Sequence, residues 1–466
     1  MKIKEIARAI NGKLSRGGAP EIDADTFVAG VSTDSRKIAR GEIFFAIRGK
    51  KYDGHDFAKD AYARSGAPVV LSRPVAGVPA VLVDDTLGAL GDLAREYRRM
   101  LGKSTAAVTG TNGKTTTKEM SASVLSARYK VHKNRGNMNN LVGLPLSVLE
   151  MKAKDDLGVF EMGMSERGEI ARMCRISEPS VGAITNIGPC HLEMLGSVEQ
   201  VAQAKAELLE YLTPEDQAIL NFDDPLLKSM AGKTRARVTG YGIRERAPIR
   251  ARDVVEKDWG ISFALESGAS FSLSMPGVFN VYNALAAVGV GIAFGVSAEE
   301  ASQALAGFRP EKRRMIRIEL NEVTVIDDSY NANPVSVAAA LEVLQRTSAH
   351  RRIVVLGDML ELGTSSELLH RQVGERIGDL KIDVLFVYGE EVKHTLDSAK
   401  NAGLNLVMHF TEKSSLVDAL EEIIRDGDVI LVKGSRAMGM EEVVEALVRS
   451  FRSNRKARNG PIQVGR

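Results

Sequence analysis

Residues 108–116 read Val108-Thr109-Gly110-Thr111-Asn112-Gly113-Lys114-Thr115-Thr116, between an apolar β-prone run (106–110) and a helix-forming stretch (114–128). Glycines let the backbone wrap an anion with its N–H groups. The helix N-terminus adds a favourable dipole, Lys114 adds charge, and Thr115 offers a hydroxyl to Mg²⁺. The spacing is GxxGKT, shorter than the common GxxxxGK[ST]. The strand–loop–helix setting separates it from a chance GKT, so Gly110, Thr111, Asn112, Gly113, Lys114, Thr115 and Thr116 read as a nucleotide phosphate loop.

Working outward, the same strand–turn–helix alternation recurs. Apolar runs stand at 157–163, 181–188 and 216–224, and again at 322–329, 352–358, 383–389 and 428–434. Helical stretches such as 197–212, 335–347 and 414–426 fall between them. Short continuous apolar strands alternating with helices predict parallel sheets covered on both faces. Residues 250–275 alternate instead, as an antiparallel hairpin would. The run Ala284 to Val296 is too short to cross a bilayer and contains three glycines, which predicts a buried, closely packed helix. The charged stretch LAREYRRM marks one boundary near residue 100, and FRPEKRR (308–314) a second near 310. The fold class is therefore α/β in three domains: a small N-terminal α/β domain (1–100), a central P-loop parallel-sheet domain (101–309) and a C-terminal Rossmann-like domain (310–466). The basic tail from Arg452 reads as a frayed end.

Composition excludes several classes. The 466 residues carry 62 Lys+Arg against 60 Asp+Glu, a net charge of +2, so no global field draws the chain to nucleic acid or an acidic membrane. Hydrophobic residues make up 44%, enough for several cores. Two cysteines, Cys174 and Cys190, cannot make a disulfide framework and point to a reducing, cytoplasmic compartment. The start MKIKEIARAINGKL follows helix spacing and does not read as a signal peptide.

Three further side chains stand where chemistry would need them. Glu161 ends the apolar strand VFEMG, at the carboxyl edge of the sheet where open α/β sheets bind ligands. A carboxylate there suits phosphate-bound Mg²⁺, although a strand-end Glu also caps loops. His191 follows another strand in a Gly/Pro loop, a plausible ligand position. Lys205 lies on the next helix, where by itself a solvated lysine is the ordinary reading.

Together with these, the chain resembles the Mur ligases of peptidoglycan synthesis, ATP-dependent enzymes that join amino acids or dipeptides to a UDP-muramoyl peptide. The resemblance covers nearly the whole sequence. It runs through VSTDSR (31–36), GEIFFAIRG (41–49), DGHDF (53–57), TGTNGKTT (109–116), Asn134 and GNMNNLVGLPL (136–146). It continues through EMG (161–163), NIGPCHLE (186–193), QAKAEL (203–208), LNFDDP (220–225) and FNVYNALAA (279–287). The stretches DDSYNANPVSVAAAL (327–341), LGDMLELG (356–363) and LVKGSRAMGMEEVV (431–444) resemble the member that adds D-alanyl-D-alanine to UDP-N-acetylmuramoyl-tripeptide.

The resemblance implies site roles. Thr115 and Glu161 would hold one Mg²⁺, and His191 and Lys205 a second. Lys205 would act as a carbamate made from CO₂, because a bare ammonium repels a metal. Lys114, Glu161, His191 and Lys205 would form the catalytic set. Asn280 and Asn283 would meet the adenine of ATP, Asp328 its ribose and Arg314 its phosphates. Arg313 precedes Arg314 where many members have Gly-Arg, so either arginine could enter the site. Ser32, Thr33, Asp34, Ser35 and Arg36 would face the UDP-sugar, and Asn137, Asn139 and Asn140 the muramoyl peptide. Tyr330, Asn331, Asn333, Ser435 and Arg436 would face the dipeptide, with pairing to Glu441 or Glu442 the plain alternative for Arg436. MSER (164–167) departs from a common Asn-His, and Cys190 stands where Ala is common. The implied partners are the two small-molecule substrates, with no nucleic acid, no membrane span and a monomeric chain. A sister ligase adding one amino acid, or a nucleotide-binding module that ligates nothing, are the alternatives. DDSYNANP argues against the first, and the Glu161–His191–Lys205 set against the second.

Overall fold

The computed structural model describes residues 1–18, 23–49 and 51–458. Three sheets succeed one another along the chain. The first runs in the order Lys13–Ser15, Ala80–Leu82, Val69–Leu71, Glu42–Phe45, Gly30–Ser32, with only its first pair antiparallel. The third runs Ile316–Leu320, Val323–Asp327, Asp428–Lys433, Arg351–Gly357, Val384–Tyr388, Leu406–Phe410, again parallel after the first pair.

The central sheet runs Ser270–Leu273, Gly260–Leu265, Ile249–Lys257, Arg237–Gly242, Gln217–Asn221, Val181–Ile184, Ser104–Thr109, Leu157–Glu161, Val131–Lys133. The first three form the antiparallel meander that the alternation at 250–275 predicts, and the rest are parallel. Ser104–Thr109 sits in the sheet interior and is covered on both faces, as a continuous apolar run requires. Ala106 and Val108 pack under the helices Lys114–Leu125 and Val278–Ala293. Ala107 faces Ile170, Val201 and Leu208 of the helices Glu169–Ser177 and Val198–Tyr211. Val278–Ala293 carries most of the Ala284–Val296 run, and its Gly291 lies so close to Val124 that a side chain would not fit.

The two joins between sheets differ. Helix Thr86–Leu101 is capped by Asp85, whose carboxylate accepts from the Leu87 and Gly88 N–H groups. It buries Leu90 and Leu93 in the first core and Ala94 in the second. At its end Arg98 and Arg99 both pair with Glu178, and the Tyr97 hydroxyl donates to the Met151 carbonyl at 2.7 Å. The second join, 308–315, is irregular chain between helix Ala298–Ala306 and strand Ile316–Leu320.

In the second and third sheets, four strands were not legible as such. Ile316–Leu320 and Leu406–Phe410 are sheet edges: IRIEL alternates apolar with charged residues, and LVMHF, though apolar, is a short run left exposed or half-buried. Val131–Lys133 has only three residues, and Arg237–Gly242 begins on an exposed arginine. The tail begins inside helix Glu441–Arg458, and its remainder lies outside the described residues.

Candidate active site

The carboxyl ends of the central strands gather the phosphate loop, Glu161 and residues 185–191 at one sheet edge. The carboxyl ends of the third sheet bring residues 328–333 and 433–436 opposite them. Between these edges lies a cavity of about 930 Å³.

The loop is held by its neighbours rather than by its own sequence. The Thr111 N–H donates to the Asn186 carbonyl and the Asn112 N–H to Asn186 Oδ1, both at 2.9 Å. The Asn112 carbonyl accepts from Thr185 Oγ1 at 2.6 Å and Asn186 Nδ2 at 3.1 Å. Gly113 caps the following helix at φ 78°, ψ −4°, and a Cβ there would stand 2.2 Å from Asn283 Oδ1. Sequence reasoning missed Thr185 and Asn186. Their signals are their place directly after the strand Val181–Ile184 and, for Asn186, the stretch NIGPCHLE (186–193).

Two lysines converge on the loop. Lys114 Nζ donates to the Gly110 and Thr111 carbonyls at 3.0 Å each. Lys205, 2% exposed, donates to the same Gly110 carbonyl at 2.9 Å. Burial pushes its pKa down to about 7; the Cys190 side opposes the shift and the Lys114 charge reinforces it. Lys205 is therefore no solvated surface lysine.

Thr115 Oγ1 donates to Glu161 Oε2 at 2.7 Å, and Asn139 Nδ2 to Glu161 Oε1 at 2.7 Å. Asn134, 1% exposed, clamps the Glu161 peptide from both sides, accepting its N–H at 2.9 Å and donating to its carbonyl at 3.1 Å. A hydroxyl beside a buried carboxylate at the cavity wall fits a cation that brings phosphate oxygens as its other ligands. Among the described residues no group of three or more His, Cys, Asp or Glu forms a self-sufficient metal site.

Arg314 enters the cavity. Its Nη2 donates to Thr115 Oγ1 at 2.8 Å, and its guanidinium lies 4.0 Å over the Tyr330 ring. Its Nε is buried with no partner, an orphaned donor of the kind a bound anion satisfies. Arg313 turns away at φ 65° and pairs with Glu441 at 2.9 Å and Glu445 at 3.4 Å. Arg436 lines the cavity and pairs with Glu441 at 2.8 Å, so both readings of that residue hold at once. His191 Nδ1 meets Glu361 Oε2 of the third domain at 2.6 Å, a partner its sequence neighbourhood did not reveal.

Other expected residues are placed as follows. Asn137, Asn139, Asn140, Asn280, Asn283, Asp328, Tyr330, Asn331 and Asn333 all line the cavity. Several are engaged internally. Asn140 Oδ1 accepts from the Val142 and Gly143 N–H groups. Asn280 donates to the Pro276 carbonyl and accepts from Asn283. Asp328 pairs with Lys433 at 2.5 Å. Asn331 Oδ1 accepts from the Arg436 N–H. Ser435 is buried, with its hydroxyl between Leu360 N–H and the Ala332 carbonyl, and does not line the cavity. Ser32, Thr33, Asp34, Ser35 and Arg36 lie outside it too, where Asp34 holds Arg36 through two bonds of 2.9 and 3.0 Å.

Known proteins share this arrangement. Three family models match in sequence order: the Mur ligase family catalytic domain at residues 27–98, the Mur ligase middle domain at 108–291, and the Mur ligase glutamate ligase domain at 313–436. The chain is 38% identical to the UDP-N-acetylmuramoyl-tripeptide–D-alanyl-D-alanine ligase of Bacillus subtilis (strain 168), over 96% of this chain and 98% of that one. It is 34% identical to the protein of the same name from Escherichia coli (strain K12), with the same coverage. A crystal structure of MurF from Acinetobacter baumannii superposes with a TM-score of 0.89 at 30% identity, covering 96% of this chain and 98% of that one. MurF from Thermotoga maritima in complex with ADP gives 0.83 at 28% identity, covering 91% and 98%. With its phosphate loop, its three successive sheets and the models that follow them along the sequence, the chain belongs to the Mur ligase family.

Proposed function

We propose that this protein is the ATP-dependent ligase that adds D-alanyl-D-alanine to UDP-N-acetylmuramoyl-tripeptide, giving the UDP-muramoyl-pentapeptide, ADP and phosphate. The observation that carries the reading is a single cavity onto which the phosphate loop of the central domain and the 330–333 turn and Arg436 of the third domain all open. Full-length likeness to ligases of that name supports it.

Joining a carboxylate to an amine in water needs activation. The γ-phosphoryl of ATP passes to the tripeptide's terminal carboxylate, releasing ADP and leaving an acyl phosphate. The dipeptide amine attacks the acyl carbon, loses a proton, and phosphate departs. Anionic centres crowd together in both steps, and charge and positioning are the available means of catalysis. Lys114 and the N–H groups at the start of helix Lys114–Leu125 would cradle the phosphates, and the unpartnered Arg314 Nε would complete the cradle from the third domain. Thr115 and Glu161 would hold Mg²⁺ on those phosphates, where the ion would neutralise developing charge. His191 and Lys205 would hold a second ion with Lys205 as its carbamate. A lysine titrating near 7 presents the neutral amine that CO₂ requires, and the carbamate converts a repelling cation into an oxygen ligand. Asn280 and Asn283 would border the adenine and Asp328 the ribose. Ser32 to Arg36 would bind the UDP end, and Tyr330, Asn331 and Arg436 the dipeptide. One chain supplies the whole cavity, which supports a monomeric enzyme. Two free cysteines support a cytoplasmic one. No described helix is long and apolar enough to cross a membrane.

Phosphate release from ATP is to be measured with the UDP-muramoyl-tripeptide, with and without D-Ala-D-Ala, and the product weighed by mass spectrometry. Release that needs both substrates, with a product heavier by one dehydrated dipeptide, is the expected result. Turnover with a single amino acid and a shorter precursor would refute this specificity.

A further inference from the structure

The side chains of Asn112 and Asn333 meet across the cleft between the central and third domains. Asn333 Nδ2 donates to Asn112 Oδ1 at 2.7 Å, and Asn112 Nδ2 donates to Asn333 Oδ1 at 3.2 Å. Each amide arrives already oriented. The Asn112 peptide is tied to Thr185 and Asn186 through both its N–H and its carbonyl, which leaves only its side chain to project. Asn333 is the N-cap of helix Pro334–Arg346: its Oδ1 accepts from the Ser336 N–H at 2.9 Å, and its own N–H donates to Ser336 Oγ at 3.0 Å. Capping fixes the Asn333 Oδ1 and thereby aims Nδ2 at the loop. The reciprocal pair forms only while the third domain is seated on the phosphate loop.

The chemistry of the pair suits its place. A lysine or arginine here would be drawn to the phosphates, and a carboxylate would be repelled by them. A primary amide offers one donor and one acceptor edge and competes with neither.

We propose that Asn112 and Asn333 are a positioning pair, a neutral latch that seats the amine-bringing third domain on the phosphate loop without touching the reacting atoms. The proposal rests on the two-substrate ligase reading and deepens it. Each amide regains water when the latch opens, so the pair biases the balance of open and closed forms and does not lock it. A dipeptide bound by the closed form is held more weakly in proportion to the fraction closed. Loss of the latch therefore raises the KM for the dipeptide more than it lowers kcat.

The test uses the full chain carrying Asn112→Ala, Asn333→Asp, Asn333→Ser, and Asn112→Ala with Asn333→Ser. Aspartate and serine both cap helices, so these variants separate the latch from the cap. Asn333→Asp also puts an acceptor against Asn112 Oδ1. The expected result is a rise of about tenfold in the dipeptide KM for each single variant, a larger change than in kcat. The double variant should be no worse than either single one. With a non-hydrolysable ATP analogue, X-ray scattering should give a larger radius of gyration for each variant than for wild type. Wild-type KM and scattering in the single variants, or penalties that multiply in the double, would overturn the latch. A wild-type protein without dipeptide-dependent turnover would instead overturn the ligase reading, and the scattering comparison would still decide the latch.

Discussion

Replacing Gly113 by alanine tests the reading of the phosphate loop. Two costs add. The residue sits at φ 78°, ψ −4°, a left-handed conformation that costs a side-chain-bearing residue about 1–2 kcal/mol. The new methyl would also stand 2.2 Å from Asn283 Oδ1, far inside contact distance. Asn283 cannot step aside freely, because Oδ1 accepts from Thr117 at 3.2 Å and Nδ2 donates to Asn280 at 3.1 Å. Giving up one or both bonds adds about 0.5–1.5 kcal/mol each. The sum, roughly 1.5–5 kcal/mol, falls on the N–H groups that would hold the phosphates. It corresponds to a loss of about 10- to 5000-fold in nucleotide affinity. Titration with a fluorescent ATP analogue reads that loss, and a denaturant midpoint reports folding. Gly66→Ala is the control: Gly66 ends a helix of the first domain at φ 70° with nothing near a Cβ, so it should cost stability and leave nucleotide affinity unchanged. A folded Gly113→Ala protein binding nucleotide within threefold of wild type would refute the reasoning.

Arg314→Ala should raise the KM for ATP at least tenfold and Arg313→Ala by less than threefold, since only Arg314 reaches Thr115; equal effects in steady-state kinetics would contradict that division. The depressed Lys205 pKa means the unfolded chain binds this proton more tightly than the folded one. Lys205 therefore makes the CO₂-free protein more stable as pH rises from about 7 toward the ordinary lysine value. Lys205→Met should lack that slope in guanidinium midpoints, and ¹³C-labelled bicarbonate should give a carbamate NMR signal in wild type only. Cys174 is fully buried with its thiol pKa pushed up by burial, whereas Cys190 is half-buried with its sulfur 3.5 Å from Thr111 Oγ1. Iodoacetamide should thus label Cys190 alone in the native protein, more slowly when an ATP analogue is bound. Mass spectrometry showing Cys174 labelled first would contradict that placement.

What could be read from sequence was what local chemistry announces. The run before Gly110 is apolar enough to be an interior strand, GKT opens a helix, and the alternation at 250–275 is a meander. The pairings that complete the site are different in kind. Glu161 is clamped by Asn134, 27 residues away, and Asn112 meets Asn333 across 221 residues. No periodicity encodes either contact, because each depends on where two sheet edges come to rest. Arg313 and Arg314 could not be separated by type. Only the left-handed turn at Arg313 sends one guanidinium outward and its neighbour inward. The lysine at 205 looked ordinary until its helix proved to lie with that side chain against the Gly110 carbonyl.

The helix Thr86–Leu101 gives the molecule unequal joints. It contributes side chains to two cores, and Glu178 grips both arginines at its end, so the first two domains share one rigid support. The join at 308–315 is irregular chain, with no helix of its own to brace it. Mechanically, the braced pair is a vice and the third domain its jaw. That support keeps whatever the first domain holds aligned to the central sheet, and in the proposed reaction the third domain is the one that selects the incoming amine. A descendant could exchange that jaw for one shaped to another amine and leave the vice untouched.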